Sequence, residues 1–207
     1  MKVAFCFDLD GTLTSEEILP QIARHLQLYE EIDLLTNITM QGLISFERSF
    51  KLRVKLLSSV PISEVRTIVD KVKFDAALSN FVKTNKENCY IVTGNLDVWV
   101  HDFIEKNYGC QYFSSTSVYE EDQLKGIAKI ISKADAVEEL RKEYDFIVAV
   151  GDGMNDCSMF EKADKAIAFG GVHQPVETLI KYSDYVIYDS DSLVSLLTSL
   201  KKHYHES

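Results

Sequence analysis

The feature that most constrains the fold is an alternation of short apolar runs with amphipathic stretches. The apolar runs are bounded by polar residues or glycine and cover residues 3–7, 89–92, 146–150, 166–169 and 185–187. Runs of this length are typical of strands that are buried on both faces. Helical patterns lie between the later runs, at residues 96–106, 134–144, 157–162 and 176–182. Strands that alternate with helices predict an α/β protein, in which helices cover a parallel sheet.

Residues 14–80 interrupt this alternation because they contain helical patterns with no strand between them. Ser15 is the predicted N-cap of the first helix, and Ser45 is the predicted N-cap of a later one. A helical block inserted after the first strand is a candidate cap over the carboxyl edge of the sheet. We therefore divide the chain into an α/β core, at residues 1–13 and 81–207, and a helical cap at residues 14–80.

The charge of the chain disfavours several classes of protein. Asp and Glu number 32 against 22 for Lys and Arg, which gives a formal net charge of −10. Such a surface repels nucleic acids and anionic membranes, so we expect neither as a partner. The apolar runs are too short to span a bilayer, we expect no secretory segment, and the cysteines form no CxxC pair. We expect a cytoplasmic protein that is a monomer or a homodimer.

Two carboxylates directly follow the first predicted strand, in the sequence DLDGTLT that begins at Asp8. An extended chain places Asp8 and Asp10 on the same side, where they repel each other unless a cation or a shared proton joins them. A calcium-binding loop is the alternative interpretation, but it would need an acidic or amide ligand at Thr12 and a helix before the loop. The motif therefore favours a catalytic site over a simple turn.

A second acidic pair follows the predicted strand at residues 146–150, in the sequence GDGMND. Its glycines permit a compact loop that can point Asp152 and Asp156 inwards, although an Asp-Gly loop alone is as often structural. Together with the first motif, this loop offers further oxygen donors. Asp8, Asp10 and Asp152 then predict an oxygen-rich site suited to Mg²⁺.

Two other positions could face an anion. Thr93 ends a predicted strand and precedes Gly94 and a helix, so its hydroxyl and nearby N–H groups could bind a phosphate oxygen. A simple N-cap at Asn95 is the alternative. Lys133 follows Ser132 in the first turn of a predicted helix, where a cation opposes the helix dipole. Lys133 could be solvated, or it could neutralise charge beside the acidic cluster.

Taken in order, DLDGTLT, the strand end at Thr93, Lys133 and GDGMND resemble the four motifs of the haloacid dehalogenase superfamily of phosphatases. The resemblance covers nearly the whole chain, and the helical block between the first two motifs is similar to the phosphoserine phosphatase branch. The resemblance implies a Rossmann-like core with an inserted cap of the C1 type. It also implies Mg²⁺-dependent hydrolysis of a small phosphorylated metabolite, with O-phospho-L-serine as the leading candidate.

The resemblance also implies roles for the acidic residues. Asp8 would be the nucleophile that becomes an aspartyl phosphate, and Asp10 would protonate the leaving oxygen and then activate water. Asp8, the backbone carbonyl of Asp10, and Asp152 would hold Mg²⁺. Asp156 would support these ligands without binding the ion itself. A carboxyl group that acts as an acid needs a pKa near neutrality, which partial burial of Asp10 could provide.

The same resemblance implies that Thr93 and Lys133 hold the phosphoryl oxygens and that Gly94 and Asn155 line the pocket. The chain departs from the branch in two ways, because Thr93 stands where serine is common and Asn95 stands where glycine is found. Asn95 adds bulk beside the phosphate pocket, so the substrate can differ from that of the branch.

Four residues of the predicted cap match the substrate pocket of that branch: Glu17, Met40, Phe46 and Arg53. In that family the glutamate meets the substrate ammonium, the arginine meets its carboxylate, and the apolar pair closes the lid. The spacing of Phe46 and Arg53 places both on one helix face. A surface position for Arg53, within a basic stretch, is the alternative.

Three other functions remain open from the sequence. The chain could hydrolyse another small phosphate, or it could transfer the phosphoryl group to an acceptor alcohol. It could also bind a phosphorylated ligand without catalysis, although the presence of both Asp8 and Asp10 favours an enzyme.

Residues 113–124 are predicted to form a hairpin or a flap near the site.

Overall fold

The structure is a computed structural model that describes residues 1–205, except for the side chains of His25 and His205. Residues 206–207, at the end of the predicted core, lie outside the described residues. Over the described part of the chain, no helix is both long and apolar enough to cross a membrane. The cysteines at positions 6, 89, 110 and 157 are free thiols.

A seven-stranded sheet forms the centre of the molecule, with the strand order β4-β3-β2-β1-β5-β6-β7. Its strands are β1 (Val3–Phe7), β2 (Cys89–Leu96), β3 (Gln111–Glu120), β4 (Gln123–Lys129), β5 (Phe146–Gly151), β6 (Lys165–Phe169) and β7 (Tyr185–Ile187). Neighbouring strands run parallel except β3 and β4, which form an antiparallel hairpin. The mostly parallel α/β fold that the sequence predicts is confirmed.

Helices connect and cover the strands. They are α1 (Ile18–Ala23), α2 (Tyr29–Met40), α3 (Phe46–Leu57), α4 (Ile62–Val69), α5 (Ala76–Thr84), α6 (Asp97–Asn107), α7 (Lys133–Leu140), α8 (Cys157–Phe160), α9 (Glu177–Lys181) and α10 (Ser190–His205). Side chains alternate between the two faces of each strand, so the sheet carries two hydrophobic cores. Val3, Phe5 and Phe7 lie in the core that α5, α6 and α10 cover. Ala4 and Cys6 lie in the core that α7, α8 and α9 cover.

Helices α1 to α4 form a block that is joined to the rest of the chain by two adjacent segments. Thr14 pairs with Phe74 in an antiparallel bridge. Beside that bridge, the Ser15 N–H donates to the Lys73 carbonyl at 2.9 Å. The predicted N-cap at Ser15 is wrong, because α1 begins at Ile18 and Glu17 occupies its N-cap position.

Helix α5 packs on the sheet and not within that block. The ring of Phe81 makes edge contacts with Phe5 and Phe7, at centroid distances of 5.5 and 6.3 Å. The predicted boundary at residue 80 therefore falls inside a helix that belongs, by its contacts, to the layer under the sheet.

The predicted hairpin at residues 113–124 is present as β3 and β4, and its turn contacts helix α4. The Ile62 N–H donates to the Asp122 carbonyl at 2.9 Å. The carboxylate of Asp122 accepts hydrogen bonds from the N–H and the hydroxyl of Ser63, at 2.7 and 2.6 Å. The hairpin is thus a second connection between the sheet and the inserted helices.

Candidate active site

Asp8, Lys133 and Asp156 form a buried ion cluster where β1 and β5 end. The Asp8 N–H donates to the carbonyl of Val150 at 2.9 Å, which fixes Asp8 at the carboxyl edge of the sheet. Lys133 Nζ, at the start of α7, donates to Asp8 Oδ1 at 2.5 Å and to Asp156 Oδ1 at 2.6 Å. Burial would lower the pKa of Lys133, but the charges of Asp156 and Asp8 outweigh it and raise that pKa. Lys133 is therefore a fixed cation beside Asp8.

The loop after β5 holds Asp156 in place. Asp156 Oδ2 accepts hydrogen bonds from the backbone N–H groups of Asp152 and Gly153, both at 3.0 Å. A Cβ atom at Gly151 would overlap the carboxylate of Asp156, so only glycine fits at that position. With one oxygen bound by Lys133 and the other by the backbone, Asp156 acts as an anchor for the loop.

Asp152 has an unsatisfied oxygen that points to a cation. Its Oδ1 accepts a hydrogen bond from the Thr12 hydroxyl at 3.1 Å, whereas its buried Oδ2 has no hydrogen-bond donor among the described residues. Carboxylate oxygens of Asp8, Asp152 and Asp156 lie within 4.8 Å of one another. Burial raises the pKa of Asp152, and the charges of Asp8 and Asp156 raise it further. Because oxygen ligands in such a cluster suit a hard divalent cation, these residues fit Mg²⁺.

Asp10 lies apart from that cluster and faces the inserted helices. Its Oδ1 accepts the N–H of Ile18, the first residue of α1, at 2.8 Å, and its Oδ2 accepts a hydrogen bond from Asn95 Nδ2. Burial and the charge of Glu17 raise the pKa of Asp10 to about 7. A carboxyl group with this pKa can give and take a proton near neutral pH.

Thr93, Gly94 and Asn95 form the wall at the end of β2. Thr93 is fully buried, and its hydroxyl oxygen accepts hydrogen bonds from the N–H and from Nδ2 of Asn95, both at 3.2 Å. A Cβ atom at Gly94 would overlap the ring of Phe46 in α3. The glycine therefore allows the inserted helices to close directly over the strand end.

A cavity of about 50 Å³ joins the sheet edge to the inserted helices. That volume corresponds to roughly three to five water molecules. It is lined by Asp8, Asp10, Glu17, Leu19, Thr36, Thr39, Met40, Phe46, Phe50, Arg53, Gly94, Asn95, Asp152, Gly153 and Asn155. The structure thus brings together most of the site residues that the sequence singles out. Thr93, Lys133 and Asp156 are in contact with lining residues but are not part of the lining themselves.

Arg53 is buried in this cavity and is not a surface residue. Its Nη1 donates to the Thr36 hydroxyl at 3.0 Å, and its Nε has no acceptor among the described residues. Burial lowers the pKa of Arg53, while the charges of Glu17 and Asp10 act in the opposite direction. A buried guanidinium with an unused donor is suited to bind an anionic group of a ligand.

Sequence reasoning missed four polar side chains of the site. Thr36 and Thr39 lie on the same face of α2 as Met40, and this helical spacing is a signal that could have found them. Thr12 follows the DLDG sequence and contacts Asp152. His173 lies in the loop after β6, and its Nε2 is 3.5 Å from Glu17 Oε1. No local pattern in the sequence marks His173, because the contact depends on how distant segments pack.

Comparison with known proteins adds four findings. Residues 3–164 match a family model described as haloacid dehalogenase-like hydrolase. A phosphoserine phosphatase of Methanocaldococcus jannaschii is 33% identical over 181 residues, which cover 81% of this chain and 85% of that protein. A solved substrate-bound phosphoserine phosphatase complex has a TM-score of 0.82 at 30% identity, over 96% of this chain and 97% of the other. A solved phospho-aspartyl intermediate analogue of phosphoserine phosphatase has a TM-score of 0.79 at 30% identity, over 91% of this chain and 93% of the other.

Proposed function

Because the chain belongs to the haloacid dehalogenase-like hydrolases and to their phosphoserine phosphatase branch, we propose that it hydrolyses O-phospho-L-serine through a phosphorylated Asp8. The observation that carries this proposal is the contact of Lys133 with both Asp8 and Asp156, beside the unsatisfied oxygen of Asp152. This arrangement offers a nucleophile, a fixed cation and a place for a second cation within one buried site.

Asp8, the backbone carbonyl of Asp10, and Asp152 would hold Mg²⁺, with Asp156 behind them. The ion would offset the repulsion between Asp8 and a phosphate dianion and stabilise the charge that develops in the transition state. The three acidic residues support this assignment because they supply carboxylate oxygens, one of them buried and unpaired.

The first chemical step would be an in-line attack on phosphorus. A carboxylate oxygen of Asp8 forms the new bond to phosphorus while the bond to the serine oxygen breaks, and Asp10 donates a proton to that leaving oxygen. Lys133, together with the hydroxyl of Thr93, would hold the phosphoryl oxygens during transfer.

The second step would regenerate the enzyme. Asp10, now ionised, takes a proton from a water molecule that attacks the phosphorus of the aspartyl phosphate. The bond between phosphorus and Asp8 breaks, which restores the carboxylate and releases inorganic phosphate. The pKa of Asp10, about 7, is suited to both proton transfers.

The inserted helices would act as the cap that selects the substrate. Glu17 and Arg53 both line the cavity, so the pocket offers one anionic and one cationic group. An ammonium and a carboxylate on the same small substrate complement this pair, which supports phosphoserine over a phosphate without an amino-acid group. Phe46, held against Gly94, would exclude water above the reacting centre.

We extend the proposal to the organisation and setting of the enzyme. The cap would lie between the paired segments at Thr14 and Phe74, and α5 would belong to the core. We propose a cytoplasmic enzyme, either a monomer or a homodimer, whose partner is a small phosphorylated metabolite and not a nucleic acid or a membrane.

The test is phosphate release from phosphoserine with Mg²⁺, compared with EDTA and with an Asp8→Asn variant. We expect release with Mg²⁺, none with EDTA, and none from the variant despite an unchanged circular dichroism spectrum. A binding module would bind phosphoserine without releasing phosphate. A phosphotransferase would transfer the group to an added alcohol, with a matching loss of free phosphate.

A further inference from the structure

Strand β2 is irregular where it reaches the site. Its pairing with β3 is regular up to Val92 and resumes at Leu96 with a shift of register. The Gly94 carbonyl accepts a hydrogen bond from the buried hydroxyl of Ser115 at 2.8 Å, which fixes the displaced backbone. Irregularities of this kind redirect a side chain beside a functional site. Here the redirected side chain is that of Asn95, which lines the cavity.

The side-chain amide of Asn95 touches two groups of the proposed mechanism. Asn95 is 4% exposed, and its Nδ2 donates to Asp10 Oδ2 and to the hydroxyl oxygen of Thr93. An amide nitrogen carries two hydrogens, so these two acceptors use both of them. The backbone N–H of Asn95 gives the Thr93 oxygen a second donor.

These bonds determine how both groups face the substrate. The carboxyl group of Asp10 is held at both oxygens, by Asn95 on one side and by the Ile18 N–H on the other. The Thr93 oxygen already accepts two hydrogen bonds, so its O–H hydrogen remains as a donor. A phosphoryl oxygen can only accept hydrogen bonds, so this is the orientation that a bound phosphate requires.

We propose that Asn95 is a positioning residue, which holds the Asp10 carboxyl for proton transfer and the Thr93 hydroxyl for phosphoryl binding. The inference rests on the proposed function, in which Asp10 is the acid and then the base. The sequence resemblance places a glycine at this position in the branch. In this chain a side chain therefore makes contacts that glycine cannot make.

The test compares two substrates that differ in how much they need an acid. Phosphoserine releases an alkoxide that must be protonated, whereas p-nitrophenyl phosphate releases a stable phenolate without help. The two substrates give the same phosphoenzyme, and its hydrolysis needs Asp10 as the base in both cases. The variants are Asn95→Ala and Asn95→Gly, with Asn107→Ala as the matched control. Asn107 is also a buried asparagine, but its Nδ2 donates to the Phe103 carbonyl within α6, away from the site.

In Asn95→Ala we expect kcat/KM for phosphoserine to fall by roughly tenfold or more beyond any fall for p-nitrophenyl phosphate. With p-nitrophenyl phosphate we expect a burst of nitrophenolate, close to one equivalent per active site, because the phosphoenzyme still forms but is hydrolysed slowly. Asn107→Ala should show neither change.

Equal losses for the two substrates would overturn the inference, as would a missing burst or wild-type rates in Asn95→Gly. These outcomes are separate from a failure of the proposed function. If wild-type protein releases no phosphate, or if Asp8→Asn retains turnover, the proposed function itself fails. If both of those controls behave as expected and the Asn95 variants do not, only the role of Asn95 is wrong.

Discussion

Lys133 Nζ lies 2.5 Å from Asp8 Oδ1, and both side chains are almost completely buried. The same ammonium group lies 2.6 Å from Asp156 Oδ1, so one cation serves two carboxylates that come from different segments of the chain. A buried cation of this kind has little value as a stabilising ion pair, because its desolvation offsets most of the attraction. Its value is electrostatic, since it is in place before a phosphate dianion arrives.

Replacement of this lysine should affect both activity and stability. Lys133→Met should lower kcat by about a hundredfold or more, because a fixed cation at the phosphoryl group is lost. It should also lower the free energy of unfolding at neutral pH by about 3 kcal/mol, since Asp8 and Asp156 are left buried without a cationic partner. Urea denaturation and steady-state kinetics measure the two effects. Lys142→Met removes an exposed ion pair with Glu139 and should change stability by less than about 1 kcal/mol. Equal effects of the two substitutions would contradict this account.

A methyl group at Gly11 should weaken metal binding. The backbone of Gly11 has φ of +72°, and a Cβ atom there would lie 2.5 Å from Asp152 Oδ2. Gly11→Ala should therefore displace that oxygen and raise the Mg²⁺ concentration needed for half-maximal activity by roughly tenfold, in addition to a strain of about 1 kcal/mol. Gly126→Ala is the control, because a Cβ atom at Gly126 meets no atom within 4 Å. An unchanged Mg²⁺ dependence in Gly11→Ala would argue against Asp152 as a ligand.

Arg53 should distinguish substrates that carry a carboxylate from those that do not. Arg53→Ala removes a buried guanidinium with an unused Nε donor, and a hydrogen bond between charged groups contributes about 1.5–3 kcal/mol. We expect KM for phosphoserine to rise by roughly ten- to a hundredfold, and KM for p-nitrophenyl phosphate to change by less than about threefold. Arg48→Ala, at an exposed position of the same helix, is the control. Similar shifts for the two substrates would contradict a carboxylate-binding role.

The pH dependence of the reaction should follow Asp10. Burial and the charge of Glu17 raise its pKa to about 7, and only the protonated form can act as the acid. The kcat/KM for phosphoserine should therefore fall as the pH rises through about 7. Glu17→Gln removes a negative charge, which lowers the pKa of Asp10, so the fall should begin at a lower pH.

Glu16→Gln is the control for that shift, because Glu16 is not among the main causes of the raised pKa of Asp10. The position of the fall is the measured quantity, since Glu17→Gln also lowers kcat/KM by weakening substrate binding. A fall at the same pH in both variants would exclude Glu17 as the source of the raised pKa.

The strands were predictable because their burial on both faces leaves continuous apolar runs. The bounds of β1 and β7 agree with the predicted residues 3–7 and 185–187. The start of the first helix was not predictable. Serine is a residue type that is common at N-caps, but the Ser15 N–H donates to the distant Lys73 carbonyl. A partner so far along the chain leaves no local signal. The end of the inserted block stays a prediction, and the contacts of Phe81 in α5 with Phe5 and Phe7 are a matter of packing that the sequence does not show.

The candidate site was predictable where its residues follow strand ends. Asp8, Thr93 and Asp152 come from strands that are neighbours in the sheet, so their convergence follows from the topology. The roles given to them remain predictions, and the structure adds their proximity. His173 and the hydrogen bond between Asn95 and Asp10 could not be derived, because both depend on the packing of segments distant in sequence.

The proposed mechanism depends most on a covalent bond between phosphorus and Asp8, and rapid acid quenching tests for that bond directly. Enzyme mixed with phosphoserine and Mg²⁺ is quenched within milliseconds, digested, and analysed by mass spectrometry for a phosphorylated aspartate. We expect the peptide that contains Asp8 to carry one acid-stable, base-labile phosphoryl group, and the same peptide from Asp8→Asn to carry none. Phosphate release at the full rate with no phosphoryl group on Asp8, or with that group on another residue, would contradict the proposed mechanism.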